Sequence, residues 1–199
     1  MARPSDAKAR FIDTAVILFR EHGYHGVGLA EIIAQAKAPK GSFYFHFPGG
    51  KEELAECAIR HAGGYLPHML QKSLRDAPDF RTGIEALVGH LARAFEASNW
   101  TQGCPIASIL LDTAPYSERL SQAIRSVTDE WIAAFGEATR RFDLGEDPRA
   151  LAMRILVSLE GAWIMARIFK SREPFHEAVG MIVAGHAISG APPHPARAG

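Results

Sequence analysis

Apolar residues recur at three- and four-residue spacing along this whole chain, and strand-like alternation is almost absent. That periodicity predicts an all-α fold of about nine helices. The first helix runs from about Ser5 to His22, with Phe11, Ala15 and Phe19 four apart on one stripe beside Ile12, Val16 and Leu18, and Gly23 as its stop. A second begins near Gly28 and ends around Ala36. Glu31 stands where a carboxylate reaches back to free N–H groups, and Val27 and Ile32 are spaced for a hydrophobic staple. A short turn, Lys37-Ala38, leads to a third helix from Pro39 to Phe47, and Pro48-Gly49-Gly50 breaks it. The long fourth helix starts at about Lys51 with Glu52 and Glu53 in its first turn, and Gly63, Gly64 and Pro67 bend or interrupt it. Further helices are expected at about Phe80–Ala97, Pro105–Thr113, Ser117–Phe142, Pro148–Phe169 and Pro174–Ile188. The tail from 190 to 199 is rich in Pro, Ala and Gly and is expected to be disordered.

The third helix has the least ordinary pattern. Phe43 and Phe47 lie at i and i+4 and share one side, where they can pack on Phe11, Phe19 and Ile32. Lys40 with Tyr44, and Ser42 with His46, form neighbouring pairs away from that side. Three short helices with a tight turn between the second and third describe a helix-turn-helix, whose last helix enters the DNA major groove. In that setting Lys40 can meet phosphate or a guanine edge, and Ser42 a base or phosphate, while Tyr44 and His46 can donate to phosphate oxygens. Gly41 permits close approach, and Lys51 adds a cation beside the free N–H groups of a helix start. The plainer alternative makes Tyr44 and His46 half-buried aromatics and Lys40 a solvated lysine.

Charge adds one refinement. The 199 residues carry 22 Lys plus Arg and 22 Asp plus Glu, so bulk basicity is excluded. Residues 1–51, however, hold seven Lys/Arg against four Asp/Glu, which suits a head that meets phosphate on a body that does not. With 47% apolar residues the chain can build a substantial core. Residues 1–10 are polar, and no stretch approaches ~20 uninterrupted apolar residues. A soluble cytoplasmic protein is expected, with no membrane partner. Cys57 and Cys104 are distant and have no metal-like spacing, so they read as small buried or half-buried thiols. Cys104 lies beside Pro105, but no basic neighbour in sequence would lower its pKa for thiol sensing.

Residues 10–54 resemble the DNA-binding head of TetR/AcrR-family transcriptional regulators. The resemblance is carried by Ala15, Leu18, Phe19, Gly23, Tyr24, Leu29, Ile32, Ala36, Lys40, Gly41, Ser42, Tyr44, His46, Phe47, Lys51, Glu53 and Leu54 in order and spacing. The stretches Ala38 to Ser42, Pro48 to Lys51 and Gly103-Cys104-Pro105-Ile106-Ala107 resemble the LmrA/YxaF-like branch. Three positions depart from the family. Lys37 replaces the usual turn Gly and requires a left-handed backbone, or adds a phosphate contact. Gly28 replaces a Ser or Thr cap. Phe45 replaces a polar aromatic, and could touch a thymine methyl or cover sugar. The resemblance implies DNA contacts from Gly28, Lys37, Lys40, Gly41, Ser42, Tyr44, Phe45, His46 and Lys51, without revealing the operator sequence.

It also implies a helix-turn-helix domain over 1–50 and a ligand-binding, dimerising antiparallel bundle over 51–189. Two heads of a homodimer would read a double-stranded, palindromic operator, and a small-molecule inducer would release it. Repression is the expected outcome, with activation by the same fold as the alternative. The last helices carry Ile155, Leu156, Leu159, Ala162, Trp163 and Ala166, then Val179, Ile182, Val183 and His186. That is more apolar surface than a terminal pair needs, so a four-helix dimer interface is expected, with plain core helices as the alternative. Phe95, Trp100, Cys104, Trp131, Phe135 and Trp163, with Met153 and Met165, suit an apolar or aromatic effector pocket, although such residues equally often fill cores. Glu160 in its apolar stretch needs a partner: Arg154 or Arg167 on the same helix, the other subunit, or a cationic ligand. No nucleophile elbow, zinc motif, phosphate loop or dinucleotide fingerprint is present. Neither an enzyme nor a bound cofactor is expected. A pure protein-interaction bundle would leave the Lys40/Tyr44/His46 side without a purpose.

Overall fold

The computed structural model describes residues 4–184 except position 115, and the side chains from residue 7 onward. Among the described residues there are ten α-helices and no strand. The expected extension of the last helix through His186 to Ile188, and the tail from 190, lie outside the described residues, as does Pro115 in the expected Ala114-Pro115 break.

α1 (Pro4–His22), α2 (Leu29–Gln35) and α3 (Lys40–His46) close on an aromatic centre. Phe11, Phe19, Phe43, Phe47 and Ile32 are all fully buried. The Phe11 ring meets Phe43 edge-on at 5.3 Å and Phe47 at 6.1 Å. α2 begins at Gly28, which is extended and supplies no side-chain cap. The staple pair Val27 and Ile32 is buried as expected. The Glu31 carboxylate, expected to reach back to the helix start, accepts instead from Gln35 one turn later. Pro39 caps α3 rather than forming its first turn.

The fourth helix is interrupted where Gly63, Gly64 and Pro67 suggested, giving α4 (Gly50–Gly63) and α5 (Tyr65–Arg75). Counted as one broken helix, they reconcile the ten with the expected nine. Gly63 has a packing reason: a Cβ there would lie 2.5 Å from Val127 Cγ1 on the facing helix. α6 (Phe80–Ala97) and α7 (Pro105–Thr113) follow, capped by Asp79 and begun by Pro105 respectively. α8 (Glu118–Thr139) is capped by Ser117 and tightens into a 3₁₀ turn, Arg140–Phe142. α9 (Pro148–Phe169) is capped by Asp147, and α10 (Glu173–Val183) closes the bundle. α9 packs against α8 and α10, α10 against α6, and α4 against both α1 and α8. No helix among the described residues is long and apolar enough to cross a membrane.

Candidate functional site

α3 separates its two sides sharply. Phe43 and Phe47 are fully buried, whereas Tyr44 is 51% and Phe45 79% exposed. Lys40, Gly41 and, in the preceding turn, Lys37 are exposed with them. Ser42 and His46 depart from the expected arrangement, being half-buried. At about 100° per residue each flanks the Phe43/Phe47 stripe rather than opposing it. The His46 ring packs edge-on against Phe45 at 5.1 Å, and its Nε2 is buried without a hydrogen-bond partner. The outward face is therefore Lys37, Lys40, Gly41, Tyr44 and Phe45, with Ser42 and His46 at its margin.

The turn behind this face is held from α1. Lys37 has φ 51°, the left-handed conformation its position suggested. Its carbonyl accepts from Arg10 Nη1 at 2.9 Å. Gly28 is exposed, with open space around it. Lys51 does not stand free as a phosphate clamp. Its Nζ donates to the Tyr24 carbonyl at 2.6 Å and lies 4.2 Å from the Tyr24 ring centre. Burial lowers its pKa. The helix start beside it is also partly occupied, because the Gly49 N–H donates to Glu53 Oε2 at 2.7 Å.

A seam joins this head to the helices behind it. Arg20 of α1 donates through Nε to Gly103 O at 2.9 Å and through Nη2 to Gln102 O at 2.7 Å. Gln102 Nε2 in turn donates to Glu21 at 2.8 Å. The His25 N–H donates to Asp112 Oδ2 at 3.0 Å, and His61 lies 3.2 Å from Asp13. Gly23, at φ +73°, is required here, since a Cβ would fall 2.5 Å from Asp112 Oδ2. Sequence reasoning missed this seam because most of its partners are more than 80 residues apart and share no motif.

Directly behind the seam is a cavity of about 440 Å³. Four residues expected to line it do so: Phe95, Cys104, Trp131 and Trp163. Five others do not, among them Met153 and Met165, which stand outward on α9. Phe135 is fully buried in the bundle core. Trp100 is buried against Phe95, with ring centres 5.5 Å apart. Glu160 lies behind the wall and accepts a hydrogen bond from the Cys104 thiol. Neither arginine expected to pair with it does so. Arg154, six residues away and on another face, pairs with Glu146, while Arg167 caps the Trp100 and Thr101 carbonyls. Burial raises the Glu160 pKa. Burial, and then Glu160, also push the Cys104 thiol well above its ordinary value, which disfavours a reactive thiolate. The unanticipated lining includes the polar side chains of Arg20, His61, His68, Tyr65 and Gln102. Among the described residues no His, Cys, Asp or Glu cluster could hold a metal.

The apolar residues expected at a dimer interface are instead core. Ile155, Leu156, Leu159, Ala162, Trp163 and Ala166 of α9, and Val179, Ile182 and Val183 of α10, are buried within the chain. His186 lies outside the described residues. α9 has a second apolar side: Val157 is 66%, Ile168 64% and Phe169 63% exposed, with Met153, Ile164 and Met165 also outward and Met181 on α10. A groove lies between them, with Gly161 among its lining residues.

Comparison with known proteins agrees with this geometry. Residues 11–58 match the family described as bacterial regulatory proteins, tetR family, and residues 81–181 the LmrA/YxaF-like transcriptional regulator C-terminal domain. The chain is 30% identical over 170 residues to the HTH-type transcriptional regulator LmrA of Bacillus subtilis, covering 85% of this chain and 90% of that one. It is 26% identical over 183 residues to the HTH-type transcriptional repressor DhaR of a Mycobacterium species, covering 89% and 90%. Among solved structures, a cysteine-substituted TetR-family regulator, CifR, complexed with 26-base-pair operator DNA, superposes with TM-score 0.74 at 25% identity, covering 88% of this chain and 95% of that one.

Proposed function

The chain belongs to the TetR family of bacterial transcriptional regulators, and from that premise we propose that it is a homodimeric cytoplasmic repressor, released from a palindromic operator by a small molecule. Residues 1–50 form the DNA-reading head and 51–189 the effector-binding and dimerising body. The observation that carries the reading is α3: buried Phe43 and Phe47 anchor the helix while Lys40, Gly41, Tyr44 and Phe45 stand outward. Lys40 and Lys37 supply charge-assisted contacts to phosphate or a guanine edge. Tyr44 donates to phosphate, and Phe45 offers an apolar surface for sugar or a thymine methyl. Gly28 lets the start of α2 approach the backbone. Ser42 and His46 act from the margin, and Lys51, with one donor used on Tyr24, keeps others for phosphate.

The second apolar side of α9 and α10 would pair with its copy, setting the two α3 helices about one DNA turn, ~34 Å, apart. An effector in the cavity would meet Arg20 and the seam that carries the head. A bound state that reseats α1 changes the spacing of the two heads and weakens operator binding. Linkage requires that operator weaken effector binding by the same factor.

The test is a footprint on the DNA upstream of the protein's own coding region. Two protected half-sites related by a twofold axis, lost on adding a compound that raises the melting temperature, support the reading. A single unpaired footprint, or stabilising compounds that never release DNA, contradicts it.

A further inference from the structure

The ionisable groups that line the cavity are unbalanced in sign. Arg20 reaches it from α1, and His61, His68 and Tyr65 from α4 and α5, but no carboxylate is among the lining residues. The nearby acids are engaged elsewhere. Asp13 faces His61 at 3.2 Å, Glu21 accepts from Gln102, and Glu160 lies behind Cys104. Arg20 itself makes only two carbonyl bonds, through Nε and Nη2, and no carboxylate is bonded to it among the described residues. This partly buried guanidinium is bonded to neutral carbonyls, the Glu21 carboxylate acts on it without a direct bond, and burial lowers its pKa. In the same cavity, Phe95, Trp131 and Trp163 provide aromatic walls.

We infer that the effector is an aromatic anion of the carboxylate class, its rings against Trp131 and Trp163 and its charge taken by Arg20 of the head's first helix. This inference rests on the cavity being the effector site. His68, Tyr65 and Gln102 are the remaining polar groups able to donate to the anion, since His61 is engaged by Asp13. The charge contact also supplies the coupling. Arg20 holds the Gln102 and Gly103 carbonyls that fasten α1 to the body, so an anion competing for its donors acts on the seam directly. The rival assignment is a cationic aromatic ligand drawn to Glu160. The raised pKa of Glu160 and its position behind Cys104 disfavour that assignment.

The experiment compares three probes of one shape, 2-naphthoate, 2-naphthamide and 2-naphthylmethylamine, by calorimetric titration into the full chain and its variants. The expected result is naphthoate bound about tenfold or more tighter than the amide, the worth of one charge-assisted hydrogen bond. The ratio should fall close to one in Arg20→Gln and be largely kept in Arg20→Lys. Because the readout is a ratio within each variant, a general loss of stability does not imitate it. Ala94→Trp, on the cavity wall, should weaken all three probes. Equal binding of acid and amide, a preference that survives Arg20→Gln, or an amine preference lost in Glu160→Gln each overturns the anion assignment while the cavity reading stands. Binding of none of the probes, or binding indifferent to Ala94→Trp, overturns the cavity reading and the anion assignment with it.

Discussion

The Lys51 ammonium donates to the Tyr24 carbonyl at 2.6 Å while lying 4.2 Å from the Tyr24 ring centre, so one side chain ties the start of α4 to the turn after α1. Beside it the Gly50 N–H bonds back to Phe47 O, which ties the start of α4 to the end of α3. A charge-assisted hydrogen bond and a cation–π contact together are worth about 2 kcal/mol at a part-buried site. Lys51→Met should therefore lower unfolding stability by about 2 kcal/mol in denaturant titration, whereas Lys51→Arg should lose less. A change below ~0.5 kcal/mol would reduce the residue to a surface lysine.

Lys37 carries a left-handed backbone that glycine adopts without steric cost. Lys37→Gly should raise stability by about 0.5 kcal/mol, the net of relieved strain and added chain entropy. It should also weaken operator binding through the lost charge. Arg10→Met, which removes the bond to the Lys37 carbonyl, should lower both stability and affinity. Thermal unfolding and a DNA titration on the same samples separate the two effects.

A copy of this chain packing on the outer side of α9 would bury Val157, Met165 and Phe169. Val157→Asp should then yield a monomer in analytical ultracentrifugation, with helical content unchanged and cooperative operator binding lost. A substitution in the buried stripe, such as Leu159→Ala, should instead cost about 2–5 kcal/mol of fold stability. A Val157→Asp dimer as tight as wild type would move the interface elsewhere.

Glu160 gives the chain a pH dependence of definite sign. Its folded pKa is raised by burial above the unfolded value. The native state therefore binds more protons across the window between the two, and stability falls as pH rises through that window. Below the ordinary glutamate range both states are protonated and the penalty disappears. Glu160→Gln, which keeps an acceptor for the Cys104 thiol, should flatten this dependence and be more stable than wild type at neutral pH. Denaturant midpoints measured from pH 4 to 8 check both statements.

How much of this was legible in the sequence depended on the range of the interaction. Phe11, Phe19, Phe43 and Phe47 were readable because local helical spacing decides their burial. The break after Gly63 and the left-handed Lys37 were readable because glycine, proline and turn geometry act within a few residues. α9 misled the interface reading because it is apolar on two sides. Spacing located the richer stripe, which the chain buries in itself, and left Val157, Ile168 and Phe169 outside. Ser42 and His46 misled it because a seven-residue helix has margins that an i, i+4 count does not separate from its outer face. The polar cavity lining was invisible: Arg20 and Gln102 meet across 82 residues, and nothing local announces it.

The central claim is that the outward face of α3 reads DNA, and fluorescence anisotropy on the DNA upstream of the coding region tests it most directly. Wild type, Tyr44→Ala and Lys40→Ala would be titrated across a range of salt concentrations. Tyr44→Ala should weaken binding by about tenfold or more, and Lys40→Ala should reduce the salt slope by roughly two, one phosphate in each half-site. Thermal stability should be little changed in both variants, because both side chains are exposed. Unchanged affinity and unchanged salt slope in stable, dimeric variants would contradict the assignment of this face to DNA.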